Sequence, residues 1–117
     1  SYVDGFVIPI PKKNLKAYTK MAKDGLKTWM KFGAIDYKEC ILEDAKAVGM
    51  NPFTKGLKIK PTQTVIFAYI VFKNRKHRDA VNKKVMAFFE KNYTGKDMSM
   101  PFDPKYAMYG GFETIVE

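Results

Sequence analysis

The segment Val65–Phe72 (VIFAYIVF) constrains this chain more than any other. Its eight residues are all apolar, yet a membrane-spanning helix needs about 20. Aromatic and β-branched residues dominate it, so the spacing predicts a strand. A strand apolar on both faces belongs in the middle of a sheet, with a covering layer on each side. The rest of the chain has to supply those layers. At 117 residues, 46% apolar and 28% charged, it has the content of one ordinary globular domain rather than two, and too much apolar content for disorder. A single domain over residues 1–117 is expected.

The flanking segments alternate in period. Tyr2–Ile10 (YVDGFVIPI) reads as a strand, with Pro9 held to a place near its end because proline lacks a donor. From Lys12 to Phe32 the period becomes helical: Leu15, Tyr18, Ala22, Leu26 and Trp29 form an apolar stripe. Gly33 ends this helix as a left-handed cap. Ala34–Glu43 reads as a half-exposed or edge strand. Residues 45–61 form a long connector broken by Gly49, Pro52, Gly56 and Pro61, and its apolar Met50, Phe53, Leu57 and Ile59 imply that it packs against something. Asn74 is a good N-cap for a second helix running to about Asn92, with Ala80, Val81, Val85, Phe88 and Phe89 on its buried side. After a turn-rich stretch over 94–104, Tyr106–Val116 closes the chain as a strand. Its Gly110-Gly111 pair marks a bulge or a close backbone approach.

The order β-α-β-β-α-β predicts an α+β, ferredoxin-like fold: a four-stranded antiparallel sheet, ordered 4-1-3-2, with two helices on one face. Helices on one face leave the other bare, and a central strand this apolar would then show Ile66, Ala68, Ile70 and Phe72, or the alternate set, to water. A second copy, forming a dimeric α+β barrel, or a ligand stacked on the sheet would cover that surface.

Charge suggests a different partner. The formal net charge is +9, from 21 basic and 12 acidic residues, but only Arg75 and Arg78 are arginines. Lysine lacks the planar fork that grips phosphates and base edges at two points. On the first helix Lys13, Lys16, Lys20, Lys23, Lys27 and Lys31 lie opposite Trp29, a candidate anion-facing stripe. The solvated side of an amphipathic helix has the same pattern. RNA-recognition modules share the topology, and Phe67–Phe72 imitates part of their longer motif. Val65-Ile66 replace its basic residue and glycine, so nucleic acid is not the expected partner.

Residues for catalysis or metal binding are few. His77 is the only histidine and Cys40 the only cysteine, so one chain holds no multi-ligand His/Cys metal site, and no internal disulfide. Cys40 reads as an inert core thiol. His77, flanked by Lys76 and Arg78, reads as a boundary or surface histidine rather than a haem ligand. Carboxylates inside strands are more informative, because burying one is costly unless it is paired or hydrogen-bonded. Asp4 and Glu39 are candidate pocket residues on that ground, with Trp29, Tyr69 and Tyr109 as aromatic neighbours. Each carboxylate could instead point to solvent or meet a lysine.

Several segments together carry a family resemblance. They are Tyr2-Val3-Asp4-Gly5-Phe6, Gly33-Ala34, Glu39-Cys40, Arg78-Asp79-Ala80 with Asn82-Lys83, Met100-Pro101-Phe102-Asp103 and Tyr109-Gly110-Gly111-Phe112-Glu113. In this order they resemble the YbaA-like family of small uncharacterised bacterial proteins, with the YGGFE segment its most specific piece. The resemblance implies the dimeric α+β barrel fold and a homodimer, and carries over no catalytic residue. Ile41, Tyr106-Ala107 and the sequence around Ala45-Lys46 depart from the family pattern, and the lysine excess is particular to this chain. The combined expectation is a cytoplasmic homodimer without cofactor, membrane or metal, binding or transforming an unidentified small molecule in a cavity between sheet and helices or between subunits. The alternatives are a nonspecific nucleic-acid-binding module or a non-catalytic structural or stress-related dimer.

Overall fold

The computed structural model describes residues 1–93 and 100–117. Its four strands are β1 (Tyr2–Pro11), β2 (Asp36–Ile41), β3 (Gln63–Phe72) and β4 (Met108–Glu113), and its helices are α1 (Leu15–Lys31), a single turn α2 (Phe53–Gly56) and α3 (Arg75–Tyr93). The strands form one antiparallel sheet in the order β2-β3-β1-β4. Val65–Phe72 is indeed a central strand. It pairs with β1 along its whole length, Tyr2 opposite Phe72 and Pro11 opposite Gln63. Pairing of β1 with β4 stops at Val7. Pro9 and Pro11 therefore lie where β1 is hydrogen-bonded on one side only, and a missing donor is tolerated there.

Side-chain alternation assigns the two faces. Ile8 and Ile10 of β1, with Ile66, Ala68, Ile70 and Phe72 of β3, are buried beneath the helices. At one end they pack against Tyr18 and Ala22 of α1. At the other they meet Val81 and Val85 of α3, with Trp29 and Phe89 alongside. The alternate set looks the other way: Val3 and Val7 of β1, Phe67, Tyr69 and Val71 of β3, Met108 and Phe112 of β4. Phe67 remains 47% and Phe112 60% exposed, whereas Val65, at one end of this face, is buried. Apolar side chains thus lie on both faces of the sheet, while α1 and α3 both pack on the same one.

Local chemistry explains where the elements differ from expectation. Residues Lys12–Asn14 form a separate 3-10 turn before α1. The buried stripe of α1 runs through Tyr18, Ala22, Gly25 and Thr28, so Leu26 turns outward and is 42% exposed. Gly25 has no side chain, which lets the helix lie close to Tyr37. Gly33 is left-handed, φ 112°, as a helix stop requires. Asn74 caps α3 by accepting a bond from the His77 amide, 2.8 Å. Ala80 is exposed, one position off the buried Val81–Val85 row. The 45–61 connector contains α2, which packs against β3. Met50 and Phe53 stay exposed, whereas Leu57 and Ile59 are half-buried. Positions 94–99 of the turn-rich stretch lie outside the described residues. The MPFDP segment ties back to α1: the Pro101 carbonyl accepts a bond from Asn14 Nδ2, 2.8 Å, and Phe102 meets the Tyr18 ring edge-on.

Gly110-Gly111 makes no bulge, since β4 pairs continuously from Glu113 to Met108. Both glycines permit close approach instead. A Cβ on Gly111 would collide with the Tyr2 hydroxyl, and one on Gly110 would press on the Phe112 ring. Gly5, opposite Gly110, lies under the same ring on the open face.

Candidate functional site between the sheet and the helices

Asp4 is the deepest charged group, 1% exposed, and lies on the helix-covered face of β1. Burying a carboxylate alone would be prohibitive. Arg78, from the first turn of α3, supplies the partner: Nη1 donates to Asp4 Oδ1 at 2.9 Å. The same nitrogen donates to the Tyr109 hydroxyl at 2.5 Å, Nη2 reaches the Tyr2 hydroxyl at 3.3 Å, and Nε donates to Asp79 at 2.8 Å. The guanidinium also stacks over the Tyr2 ring, 4.9 Å from its centroid. Only a planar fork can serve four acceptors at once in this way. Burial, and then the nearby Asp4 carboxylate, push the Tyr109 phenol above its ordinary range.

One helical turn later, Asn82 extends the network. Its Nδ2 contacts Asp4 Oδ2 at 3.4 Å, while its Oδ1 accepts the Trp29 indole N–H at 2.9 Å. The Trp29 ring lies 6.0 Å from that of Tyr37. Tyr37 in turn donates to Glu39 Oε2, and Tyr18 donates to Glu39 Oε1, both at 2.6 Å. Burial raises both phenols strongly, and the bonds to Glu39 raise them further. They stay protonated donors across the physiological range. Among the described residues no buried side-chain polar atom lacks a partner.

Two polar groups therefore span the interior from β4 to β2: a hydrogen-bonded network of Tyr109, Arg78, Asp4, Asn82 and Trp29, and the trio Tyr37, Glu39 and Tyr18, which meets it through the Trp29–Tyr37 ring contact. Of the five residues expected to share a pocket, Asp4, Trp29 and Tyr109 belong to the first group and Glu39 to the second, and Glu39 alone of them lines either of two hollows. Tyr69 belongs to neither group. It pairs with Gly5, and alternation puts it on the open face, across the sheet from the rest. The cleft is also not a single void. At its β2 end the structure has a groove of about 240 Å³ between α1 and β2, lined by Leu15, Ala22, Ile41 and Ile66 with Tyr18 and Glu39. A second hollow of about 380 Å³ lies by Pro9, Asn14, Phe102 and Tyr106 and contains none of the network.

The other candidates occupy separate places. Cys40 is exposed, which corrects the expected core thiol: it alternates with the helix-facing Glu39 and Ile41 and so points to the open side. His77 packs edge-on against Phe72, and its Nδ1 accepts the Lys73 amide at 3.0 Å, so the ring works at the start of α3. It lies on the opposite side of the sheet from Cys40. Lys13, Lys16, Lys20, Lys23, Lys27 and Lys31 are all exposed; Lys31 rests over the Phe32 and Phe88 rings. Among the described residues no group of three His, Cys, Asp or Glu side chains could hold a metal ion, and no helix is long and apolar enough to cross a membrane.

The partners Arg78, Asn82, Tyr2, Tyr18 and Tyr37 go beyond the expected set. Arg78 carries a usable signal as one of only two arginines. It stands four residues before Asn82, on the border of the buried row of α3. Tyr18 and Tyr37 carry no such mark, since a tyrosine on a core-facing stripe reads simply as core.

Comparison with known proteins adds a family. The model of a family described as "Protein of unknown function (DUF1428)" matches residues 1–104. This span includes the whole network except Tyr109. The chain is 35% identical over 116 residues to the Uncharacterized protein YbaA of Escherichia coli (strain K12), covering 99% of this chain and 97% of that protein. The same identity and coverage hold for the Uncharacterized protein YbaA of Shigella flexneri.

Proposed function

This chain belongs to the YbaA-like family of proteins of unknown function (DUF1428), and from its geometry we propose that it acts as a cytoplasmic homodimer. In this reading two ferredoxin-like sheets face each other as a dimeric α+β barrel, and each subunit takes a small molecule into the cleft between sheet and helices. The observation that carries the reading is the uncovered face of a central strand. Val3, Val7, Phe67, Tyr69, Val71 and Phe112 form a contiguous apolar surface, and water contact with it is costly. A second copy offers an equal surface and buries both.

Light scattering tests the assembly. The expected mass is twice that of the chain, and Phe67→Glu, which places a charge in the middle of the open face, should halve it while leaving the circular dichroism unchanged. A native chain that scatters as a monomer overturns the dimer.

The lysine side of α1 supports a second reading, weak attraction to polyanions. Five exposed lysines, Lys16, Lys20, Lys23, Lys27 and Lys31, follow one side of the helix, with Lys13 in the preceding turn and Asp24 the only acidic residue in α1. Binding of duplex DNA at low salt, where the electrostatic contribution is largest, is the test. No binding there removes this reading.

A further inference from the structure

We infer that the groove between α1 and β2 is a site for a small organic cation, an amine in its protonated form with a short apolar body, held by Glu39. The inference rests on the reading that the sheet–helix cleft takes a ligand, and it adds the chemical class. Glu39 is half-buried, and its neighbours differ from those of the other interior carboxylate. Asp4 is neutralised by Arg78, whereas among the described residues no lysine or arginine forms an ion pair with Glu39. In a chain with 21 basic residues an interior carboxylate without an ion pair stands out. Two neutral phenols hold the carboxylate instead, each at 2.6 Å.

That arrangement selects among ligands. Each carboxylate oxygen accepts one phenol proton and keeps further acceptor capacity toward the groove. The phenol protons point at Glu39, so they are not free to receive an anion, and the carboxylate repels one. A neutral alcohol would gain the apolar walls, Leu15, Ala22, Ile41 and Ile66, and one hydrogen bond donated to the carboxylate. An ammonium group gains both of these and, in addition, the Coulomb attraction between its own charge and the carboxylate. Gly25 preserves the geometry, since a Cβ there would stand 2.6 Å from the Tyr37 hydroxyl and displace it.

The test is an amide-resonance titration of the full chain with 2-phenylethylammonium, 2-phenylethanol and phenylacetate. The ammonium should shift Tyr18, Glu39, Ile41 and Ile66 saturably, and bind about tenfold more tightly than the alcohol. Glu39→Gln should weaken it about tenfold. Should that variant fail to fold, Ile41→Lys, a change at an exposed position at the groove, should abolish ammonium binding and admit phenylacetate. Equal binding of alcohol and ammonium, or undiminished ammonium binding by Glu39→Gln or Ile41→Lys, overturns the cation while leaving the groove as a ligand site. If none of the three probes shifts these residues, the groove reading fails together with the inference.

Discussion

Asp4 and Arg78, 74 residues apart in sequence, meet at 2.9 Å inside the interface between β1 and α3, and each is the other's main compensation for burial. Removing one member leaves a buried charge with no partner. Arg78→Ala is therefore expected to cost about 3–5 kcal/mol of stability, read as a lowered urea midpoint with an unchanged slope. Arg78→Lys should recover only part of it, because an ammonium cannot reach Asp4, Tyr2 and Tyr109 together. Full recovery by lysine would mean that charge alone, not the fork, holds this end of the network.

Gly25 and Tyr37 should prove coupled. Alanine in place of glycine ordinarily stabilises a helix by about 1 kcal/mol. Here Gly25→Ala should destabilise instead, since the new methyl would meet the Tyr37 hydroxyl at 2.6 Å. In a Tyr37→Phe background the obstructing oxygen is gone, and Gly25→Ala should become neutral or stabilising. A double-mutant cycle in thermal or urea unfolding reads the sign change. Additive effects would contradict the contact.

The phenols of Tyr18 and Tyr37 give an alkaline limit. Both are raised above the unfolded tyrosine value of about 10, mainly by burial and then by Glu39. Below that value the folded and unfolded states are equally protonated at these sites, and their contribution to stability is intact. Above it the unfolded state loses protons that the native state keeps, so stability falls as pH rises. Phenolate absorbance of these two residues should appear together with loss of near-ultraviolet circular dichroism, not before it. In Glu39→Gln, which removes the carboxylate's contribution, the two phenols should titrate at lower pH than in the unchanged chain.

Asn74 holds the start of α3 through its side-chain oxygen and the His77 amide, 2.8 Å. Asn74→Ala should cost about 1 kcal/mol. Asn74→Ser, which keeps an acceptor, should restore most of it. Amide hydrogen exchange localised to the first turn of α3 checks the assignment.

The architecture was readable because the hydrophobic period changes cleanly along the chain. VIFAYIVF allows little but a central strand, and Leu15, Tyr18, Ala22 and Trp29 allow little but a helix face. The site was half readable. Asp4 and Glu39 stood out because a carboxylate in an apolar strand needs a reason to be there. The position of Tyr69 is not legible, because one step of alternation separates the covered face from the bare one. Only the register of Asp4 opposite Ile70 shows that Tyr69 points away. Leu26 imitates a core residue in the sequence, whereas Gly25 and Thr28, neither conspicuously apolar, fill the buried positions of α1. Arg78 and Asn82 meet Asp4 across 74 and 78 residues, and no local pattern records a contact over that distance.

The close approach of the Tyr2 hydroxyl to Gly111 bears on how sequences of this kind can change over generations. Tyr2 fills the space that any side chain at position 111 would claim, and through that space it reaches Arg78. Neither residue is free to drift alone: a larger residue at 111 evicts the phenol, and a smaller one at position 2 leaves a hole above the glycine. Such a pair should be inherited as a unit. Divergent descendants should keep both or exchange both, leaving a linked trace between the first strand and the last.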